Sequence, residues 1–338
     1  MRAIVYARKD DGFDLVDRRV PEPGPGEVRV RVAVSGVNPT DWKARARVSE
    51  PDGEVVPNQD GAGVVDAVGP DVANLIVGQR VWLWEAAWQR PEGTAQEYLV
   101  LPARQTVPLP DNASFELGAS LGIPALTAHR CLTVAENGPN RLAPGALAGR
   151  RVLVAGGAGA VGNAAIQLAR WAGATVISTV SSAEKAELAR AAGANHVVNY
   201  RTENAAEVIR RHAPDGIDLV IEVAPSVNAE LDLAVVAPGG TIAVYATDGG
   251  GDTLTVPVFP LMLHNIRYQF VLVYTVAPAT KDAAVADVAA AVEAGAVRAG
   301  LDAGLPLHHY PLAGTADAHA AVRAGAIGKV LIDVSPLG

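Results

Sequence analysis

Three glycines spaced as Gly157-x-Gly159-x-x-Gly162 carry the clearest chemical signal in this chain. They follow an apolar run from Val152 to Val154 and lead into apolar residues at helical spacing. In a strand, tight turn and helix start of this kind, backbone N–H groups and the positive helix end can bind a diphosphate. An ordinary glycine-rich turn is the alternative. We assign the diphosphate site to Gly157, Ala158, Gly159, Ala160, Val161 and Gly162.

The end of the next predicted strand, Thr175 to Val180, indicates which dinucleotide would bind. NAD sites usually carry an Asp or Glu there, about 20 residues after the glycines, to bind the ribose 2′-hydroxyl. This chain has Ser181 and Ser182 instead, followed by Lys185. Hydroxyls and an ammonium group suit a 2′-phosphate, so we expect NADPH rather than NADH. The alternative is that Ser181-x-x-Glu184 caps the following helix and Lys185 is solvated.

Composition limits the classes of protein to consider. With 338 residues, 49% of them hydrophobic and 19% charged, the chain is expected to be a soluble, globular protein of two domains. Neither a signal peptide nor an apolar run of membrane-spanning length is visible, so we expect a cytoplasmic location. A net charge of −8 without a basic cluster argues against nucleic acid as a partner. The single cysteine, Cys131, excludes an internal disulfide and any multi-cysteine zinc site.

Two regions with different predicted secondary structure must position these residues. The first, before Pro110, contains short β-rich runs and reads as an antiparallel β domain. Its predicted strands are residues 1–10, Val28–Val34, Val55–Val68, Val81–Trp84 and Tyr98–Leu101. Phe115 to Cys131 has a helical pattern. From Arg151 to Tyr245 strands and helices alternate, which predicts a doubly wound parallel sheet.

The last third of the chain sets the predicted domain boundaries. Tyr268 to Thr275 is expected to be a sheet-edge strand that pairs across a subunit interface. A helix is predicted from Ala283 to Ala294, and a final strand, Lys329 to Val334, is expected to return to the first domain because the nucleotide fold already has six strands. We therefore predict a catalytic domain of residues 1–122 and 276–338, interrupted by a nucleotide-binding domain of residues 123–275.

The segment from Gly36 to Lys43, Gly-Val-Asn-Pro-Thr-Asp-Trp-Lys, resembles the medium-chain dehydrogenase/reductase superfamily, in particular its zinc-free quinone oxidoreductase branch typified by ζ-crystallin. The likeness runs nearly end to end. It includes Asp60–Val65, Gly93–Tyr98, Gly118–His129, the glycine turn, Gly216–Glu222 and Gly328-Lys329. The resemblance implies an α/β protein with a GroES-like β-rich catalytic domain, an inserted Rossmann domain and an active cleft between them.

The positions that bind zinc in related enzymes carry other residues here. Zinc-dependent relatives place a cysteine where this chain has Asn38, and a His-Glu pair where it has Gln59 and Asp60. They also carry a four-cysteine lobe where Glu85 to Gly93 has no cysteine. Amide side chains are poor zinc ligands, so we expect no zinc and no ordinary alcohol oxidation. No separate flavin motif is visible. The remaining chemistry is metal-free hydride transfer from NADPH to a quinone or another electron-poor carbonyl compound.

The resemblance also suggests roles for single residues. It implies that Asn38 lies beside the nicotinamide and its ribose, that Thr127 touches the cofactor near the nicotinamide end, and that Tyr200 packs near the 2′-phosphate. It also assigns Lys329 to cofactor binding. The alternatives are an Asx turn before Pro39 for Asn38, a simple helix position for Thr127 and a buried core position for Tyr200.

Lys43 and the tryptophans complete the predicted reaction centre. Several relatives carry a tyrosine at position 43; a lysine there could bind the ribose or stabilise negative charge on a carbonyl oxygen, or lie in solvent. Trp42 is assigned to the same centre because aromatic faces suit a flat quinone, although tryptophans also fill cores. Trp82, Trp84 and Trp88 lie in the same domain. Asp41 is expected to brace this loop and not to act as a general acid, since without burial it would be ionised and unable to donate a proton. His319 is expected to be structural.

Together these features predict an NADPH-dependent, zinc-independent quinone oxidoreductase that forms a homodimer or homotetramer. One alternative is an enone or enal double-bond reductase, which also needs a proton donor for the carbon next to the carbonyl group; no side chain of the motif is an obvious donor. An alternative of another class is a non-catalytic NADPH-binding protein, either crystallin-like or RNA-binding.

Overall fold

A computed structural model describes residues 1–7, 12–47 and 53–336. The chain forms two compact units, Met1–Ile123 with Pro306–Gly338, and Pro124–Leu305. The second unit therefore extends beyond the predicted boundary at residue 275. The helix Pro278–Glu293 packs against the helix Ala160–Trp171 within that unit, which accounts for the difference.

The strands and the helices are each numbered in the order in which they occur along the chain. The strands are β1 (Arg2–Val5), β2 (Asp14–Asp17), β3 (Glu27–Val37), β4 (Asp60–Val68), β5 (Arg80–Leu83), β6 (Tyr98–Pro102), β7 (Thr106–Pro108), β8 (Arg151–Ala155), β9 (Thr175–Val180), β10 (His196–Asn199), β11 (Ile217–Glu222), β12 (Val236–Val244), β13 (Arg267–Phe270), β14 (Leu307–Pro311) and β15 (Lys329–Asp333). The helices are α1 (Pro39–Arg47), α2 (Phe115–Gly118), α3 (Gly122–Leu132), α4 (Ala160–Trp171), α5 (Ala183–Ala191), α6 (Ala205–His212), α7 (Pro225–Val235), α8 (Val258–His264), α9 (Pro278–Glu293) and α10 (Thr315–Arg323).

The first unit is built on a mixed, largely antiparallel sheet in the order β14-β15-β3-β4-β5-β7, with β6 also paired to β3. Along β3 the side chains of Val28, Val30 and Val32 are fully buried, while the residues between them are partly exposed. This period of two is what a half-buried strand requires. The final strand β15 pairs antiparallel with β3, as the prediction of a returning strand expected.

The register of this sheet brings distant residues together. Gly36 of β3 lies opposite Asp60 of β4, and Val37 lies opposite Val330 of β15. Asn38, which directly follows β3, is therefore beside the first residues of both neighbouring strands. Those residues are Asp60 and Lys329.

The second unit contains a six-stranded sheet in the order β10-β9-β8-β11-β12-β13, with every neighbouring pair parallel. This order confirms the predicted doubly wound fold. Strands lead away from β8 in both directions, so the order reverses between β8 and β11. Ligands of such sheets bind outside the carboxyl ends of the strands at that reversal.

Several predicted elements have different bounds in the structure. The strand predicted from Val55 begins only at Asp60, because Pro57 lacks an N–H and Asn58 has a left-handed backbone with φ of 81°. The helix predicted over Phe115–Cys131 is two helices, α2 and α3, interrupted between the glycines at 118 and 122.

The predicted strand Tyr268–Thr275 ends at Phe270. Its neighbour β12 ends at Val244, opposite Phe270, and a short 3₁₀ turn follows at Val273–Thr275. The strand predicted over residues 1–10 is β1, and residues 8–10 of that prediction lie outside the described residues. Within the described ranges no helix is both long and apolar enough to cross a membrane.

Candidate active site and cofactor site

The glycine turn after β8 leaves a helix N-terminus open for an anion. Helix α4 begins at Ala160 with Gly159 as its N-cap, and no side chain caps it. A Cβ atom at Gly157 would lie 2.1 Å from the Ser178 Oγ atom, and one at Gly162 would lie 2.4 Å from the Gly156 carbonyl oxygen. Only glycine fits at position 162, where the close atoms are backbone, whereas a side chain at position 157 would displace those of Ser178 and Ile166. The exposed N–H groups at the positive helix end fit a diphosphate.

The residues predicted to choose the dinucleotide lie where β9 ends and α5 begins. Ser182, not Ser181, is the N-cap of α5, because its Oγ atom accepts a hydrogen bond of 3.2 Å from the Lys185 N–H. Capping by Ser181 is therefore the wrong alternative. The Ser181 hydroxyl instead accepts a hydrogen bond of 3.2 Å from the Lys185 ammonium group. One hydroxyl and one cation are thus held together beside the end of β9, where serines, not an acidic residue, directly follow the strand.

Tyr200 directly follows β10, and its N–H donates to the carbonyl oxygen of Val180, the last residue of β9. Its side chain is 50% exposed, so the alternative of a buried core tyrosine is wrong. Thr127 lies on α3 and is 6% exposed. The contacts of both residues with a cofactor stay predictions.

A buried polar centre occupies the first unit where β3, β4 and β15 meet. The Lys329 ammonium group donates to Asn38 Oδ1 at 2.7 Å, and Asn38 Nδ2 donates to Asp60 Oδ2 at 2.7 Å. Lys329 Nζ also lies 3.4 Å from Asp60 Oδ2. The three side chains are at most 3% exposed, so they form a closed ring of hydrogen bonds away from solvent. Lys329 is predicted to bind the cofactor, and its ammonium group forms hydrogen bonds with Asn38 and Asp60.

The charges of this centre depend on one another. Burial raises the pKa of Asp60 and lowers the pKa of Lys329, because it penalises both charged forms, and the opposite charge of each partner counteracts this. The other carboxylate oxygen of Asp60, Oδ1, accepts a hydrogen bond of 2.8 Å from the Ile123 N–H. Removal of either charged partner would leave the other charge buried and uncompensated.

Asp41 stabilises the start of α1. Its Oδ2 atom accepts a hydrogen bond of 2.7 Å from the Asn38 N–H, the reciprocal half of a capping box. This is the bracing contact that the sequence suggested. Asp41 is only 6% exposed, and burial raises its pKa to about 8. The ionised state expected for a solvated aspartate therefore does not apply at neutral pH.

Two of the three positions compared with zinc-dependent relatives, Asn38 and Gln59, carry hydrogen-bonded amides. The third is Asp60, whose carboxylate accepts hydrogen bonds from Asn38 and Lys329. Asn38 is held as described, and Gln59 Oε1 accepts a hydrogen bond of 3.1 Å from the Ala87 N–H. Among the residues that the structure describes, no group of three or more His, Cys, Asp or Glu side chains is arranged to hold a metal. The prediction of a zinc-free enzyme rests on the chemistry of these amide donors.

The tryptophans divide into core and partly exposed residues. Trp82 and Trp84 are 0% and 1% exposed and belong to the core. Trp42 is half-buried, with Lys43 Nζ 5.7 Å and Arg323 Cζ 5.7 Å from its ring, so cations flank its indole. It also lines a cavity of about 530 Å³ in the first unit, together with His319 and residues around it.

Sequence reasoning missed the chain of hydrogen bonds that supports this centre. The His319 Nε2–H donates to Asn58 Oδ1 at 2.8 Å, and Asn58 Nδ2 donates to the Ser35 hydroxyl at 2.9 Å. Ser35 bonds Thr94 at 2.7 Å, and the Thr94 hydroxyl donates to the Asp60 carbonyl oxygen at 2.6 Å. Burial lowers the pKa of His319 to about 4, so it is neutral at physiological pH, and its structural role stays a prediction.

Comparison with known proteins agrees with this geometry. The family model described as alcohol dehydrogenase GroES-like domain matches residues 24–111, and the one described as zinc-binding dehydrogenase matches residues 160–290. A quinone oxidoreductase of Pongo abelii is 30% identical over 321 residues, covering 94% of this chain and 92% of the relative. A 2-haloacrylate reductase of a Burkholderia species is 32% identical over 258 residues, covering 74% of each chain.

Solved structures give the same result. A crystal structure named as an NAD-dependent alcohol dehydrogenase has a TM-score of 0.84 and 29% identity, covering 99% of this chain and 100% of that one. A mycobacterial protein in complex with NADPH has a TM-score of 0.79 and 28% identity, covering 98% of this chain and 99% of that one.

The doubly wound parallel sheet and the relatives together identify the class of protein as an oxidoreductase. The chain belongs to the medium-chain dehydrogenase/reductase superfamily and, within it, to the quinone oxidoreductase branch. It is an enzyme that uses a nicotinamide cofactor and acts on a small-molecule substrate.

Proposed function

We propose that this enzyme transfers hydride from NADPH to a quinone without a metal ion. The observation that carries the choice of NADPH is the contact between Ser181 and Lys185 at the end of β9, where an NAD site would carry an acid. The quinone oxidoreductase relative supports the choice of acceptor. The proposal includes a cytoplasmic location.

Bound NADPH supplies the hydride, and the protein supplies binding, orientation and electrostatics. A quinone that accepts this hydride and one proton becomes a hydroquinone. Its oxygens can take the proton from water, so the reaction needs no dedicated acid. In this proposal the turn from Gly157 to Gly162 binds the diphosphate, and Ser181, Ser182, Lys185 and Tyr200 bind the 2′-phosphate.

The reaction end is proposed to involve Asn38, Lys43 and Trp42, with Thr127 near the nicotinamide. The half-buried Trp42 offers an aromatic face of the kind that stacks on a flat quinone. The Lys43 ammonium group, 5.7 Å from that ring, would stabilise negative charge that develops on the quinone oxygen.

A second candidate is reduction of an electron-poor carbon–carbon double bond. The 2-haloacrylate reductase relative favours it, because a haloacrylate carries such a double bond. Hydride transfer to the β carbon would have to be followed by protonation of the α carbon. Carbon accepts protons from water more slowly than oxygen does, so this reaction would demand a positioned donor.

An acceptor panel separates the two candidates. Purified enzyme is mixed with NADPH and either phenanthrenequinone, benzoquinone or butenone, and loss of NADPH absorbance is followed. The proposal expects turnover of at least one quinone with a kcat/KM about tenfold or more above that for butenone. Turnover of butenone alone would replace the proposal with the double-bond reductase. Tight NADPH binding without any turnover would contradict both.

A further inference from the structure

The side-chain amide of Asn38 is held between two opposite charges. On one side the Lys329 ammonium group donates to Oδ1, and on the other the Asp60 carboxylate accepts from Nδ2, each at 2.7 Å. Hydrogen bonds with an ionised partner are stronger than those between neutral groups. Both bonds are buried, so water does not compete for them.

This arrangement distinguishes the two ends of the amide. A rotation of the amide by half a turn would place its N–H groups against the Lys329 ammonium and its oxygen against the Asp60 carboxylate. Both hydrogen bonds would be lost and like charges would meet. Only one of the two orientations that an asparagine side chain normally adopts is therefore compatible with its neighbours.

The two charged side chains themselves have little room to move. A Cβ atom at Gly122 would lie 2.2 Å from Asp60 Oδ1, and one at Gly36 would lie 3.0 Å from the Cε atom of Lys329 and 2.0 Å from the Ala119 carbonyl oxygen. Backbone thus approaches closely on both sides of the ring. The hydrogen bond from the Ile123 N–H fixes the Asp60 carboxylate further.

We propose that Lys329 and Asp60 are positioning residues that hold the Asn38 amide in one orientation for the cofactor. One hydrogen of Nδ2 and one lone pair of Oδ1 then remain for a ligand, always in the same places. The inference rests on the proposed function in that it takes Asn38 as a contact of the nicotinamide end of NADPH. It assigns to Lys329 an action through Asn38 in place of a direct bond to the cofactor.

The test is a thermodynamic cycle between the charged pair and Asn38. Wild type, Asp60→Asn/Lys329→Met, Asn38→Ala and the triple variant are compared in three measurements: melting temperature, NADPH dissociation constant and kcat/KM with the best acceptor. Single neutralisations would leave a buried charge and lower the melting temperature, whereas the double variant removes both charges and recovers much of it. Activity and NADPH affinity are the informative readouts.

The proposal expects the double variant to lose about tenfold or more in kcat/KM or NADPH affinity even where its melting temperature recovers. In the Asn38→Ala background the same double change should alter these quantities by less than about twofold, because the amide it acts on is gone. Recovery of wild-type activity together with stability would overturn the proposal. So would losses that multiply in the triple variant, since they indicate an action independent of Asn38.

A measurement on the wild-type protein keeps the test independent of variants that fail to fold. With ¹⁵N-labelled asparagine, the two Nδ2 protons of Asn38, assigned by their loss in Asn38→Asp, should be widely separated and protected from exchange. Rapid solvent exchange of both would contradict the proposal. If the wild type reduces no acceptor, the proposed function fails, while the NADPH affinities and this spectrum still decide the positioning role.

Discussion

Lys185 and Ser181 are the residues on which the choice of cofactor depends. Lys185→Ala removes the only positive charge of this pair and leaves the Ser182 cap intact, since that cap uses the backbone N–H of residue 185. A hydrogen bond to a charged group contributes about 1.5–3 kcal/mol. The KM for NADPH should therefore rise about tenfold to a hundredfold, while the KM for NADH changes little.

Arg190 provides a matched control on the same helix. Its side chain is exposed and pairs with Glu187, so Arg190→Ala removes a positive charge from α5 away from the end of β9. Initial rates with both cofactors are measured for each variant. Equal loss of NADPH and NADH affinity in Lys185→Ala, or an effect of Arg190→Ala as large, would contradict the 2′-phosphate role.

Asp41 makes stability depend on pH. Burial raises its pKa from 3.8 to about 8, so the folded protein holds this proton more tightly than the unfolded chain does. The contribution of this tightly held proton to the free energy of unfolding is fully present below pH 3.8 and is lost as the pH rises towards about 8. Asp41→Asn keeps the hydrogen-bond acceptor for the Asn38 N–H. Its free energy of unfolding should therefore rise relative to that of the wild type by up to about 1.4 kcal/mol per pH unit across this window.

The measurement is urea unfolding of both proteins at about pH 5 and about pH 8. The difference in unfolding free energy should shift in favour of Asp41→Asn as the pH rises. An unchanged difference would show that Asp41 is already ionised in the folded protein at the lower pH.

At the level of elements, one carboxylate ties three segments of the second unit together. Asp287 of α9 accepts hydrogen bonds from His129 Nε2 of α3 at 2.8 Å, from the Leu142 N–H at 2.7 Å and from Arg141 Nε at 2.8 Å. These bonds lower the pKa of Asp287 to about 2 against the opposing effect of burial. The carboxylate is therefore ionised at neutral pH and joins α3, the following loop and α9.

Asp287→Ala should lower the unfolding free energy by about 3 kcal/mol at neutral pH, because it leaves buried N–H groups of His129 and Leu142 without an acceptor. Glu293→Ala is the matched control, an exposed acid at the end of the same helix, with an expected change within about 0.5 kcal/mol. Urea unfolding monitored by tryptophan fluorescence measures both. Similar values for the two variants would contradict the account of α9.

Features that neighbouring residues determine can be predicted from the sequence, whereas contacts between residues far apart in the chain cannot. The turn at Gly157 and Gly162 and the alternating strands of the second unit are local patterns, and they are confirmed. The cap of α5 is shifted by one residue, because Ser181 and Ser182 both stand before a helix and only side-chain geometry selects Ser182. The contact between Asn38 and Lys329 joins residues 291 positions apart and depends on the register of β3 with β15.

The burial of individual side chains could not be predicted from neighbouring residues either. A solvated aspartate is ionised, and only the packed position of Asp41 raises its pKa. Trp82 and Trp84 lie in the core, whereas Trp42 and Trp88 are partly exposed, and residue type alone does not separate the two groups. The side chains that form the polar centre belong to three separate segments, and no spacing along the chain reveals that they meet.

For the whole molecule, exposed apolar side chains of the second unit indicate an association surface. They lie on the edge strand β13, the residues after it and helix α8, and each is more than half exposed: Val258, Phe259, Met262, Leu263, Phe270 and Leu272. A sheet edge with unpaired backbone groups beside an apolar helix suits a second copy of the chain. We predict a homodimer or homotetramer that uses this edge.

Sedimentation velocity tests this prediction. Wild type should sediment as a multiple of the 34.8 kDa chain, and Phe259→Asp/Phe270→Asp should shift it towards the single chain. Leu301→Asp is the control, since Leu301 is 67% exposed in the same unit but lies outside α8 and β13. A wild type that sediments only at 34.8 kDa would contradict the prediction.

The most direct test of the central claim is quinone reduction by enzyme that has been dialysed against a chelator, assayed with NADPH and with NADH at equal concentrations. We expect full activity after chelation and a kcat/KM for NADPH about tenfold or more above that for NADH. Activity that is lost on chelation and restored by zinc, or an equal or greater kcat/KM for NADH, would contradict it.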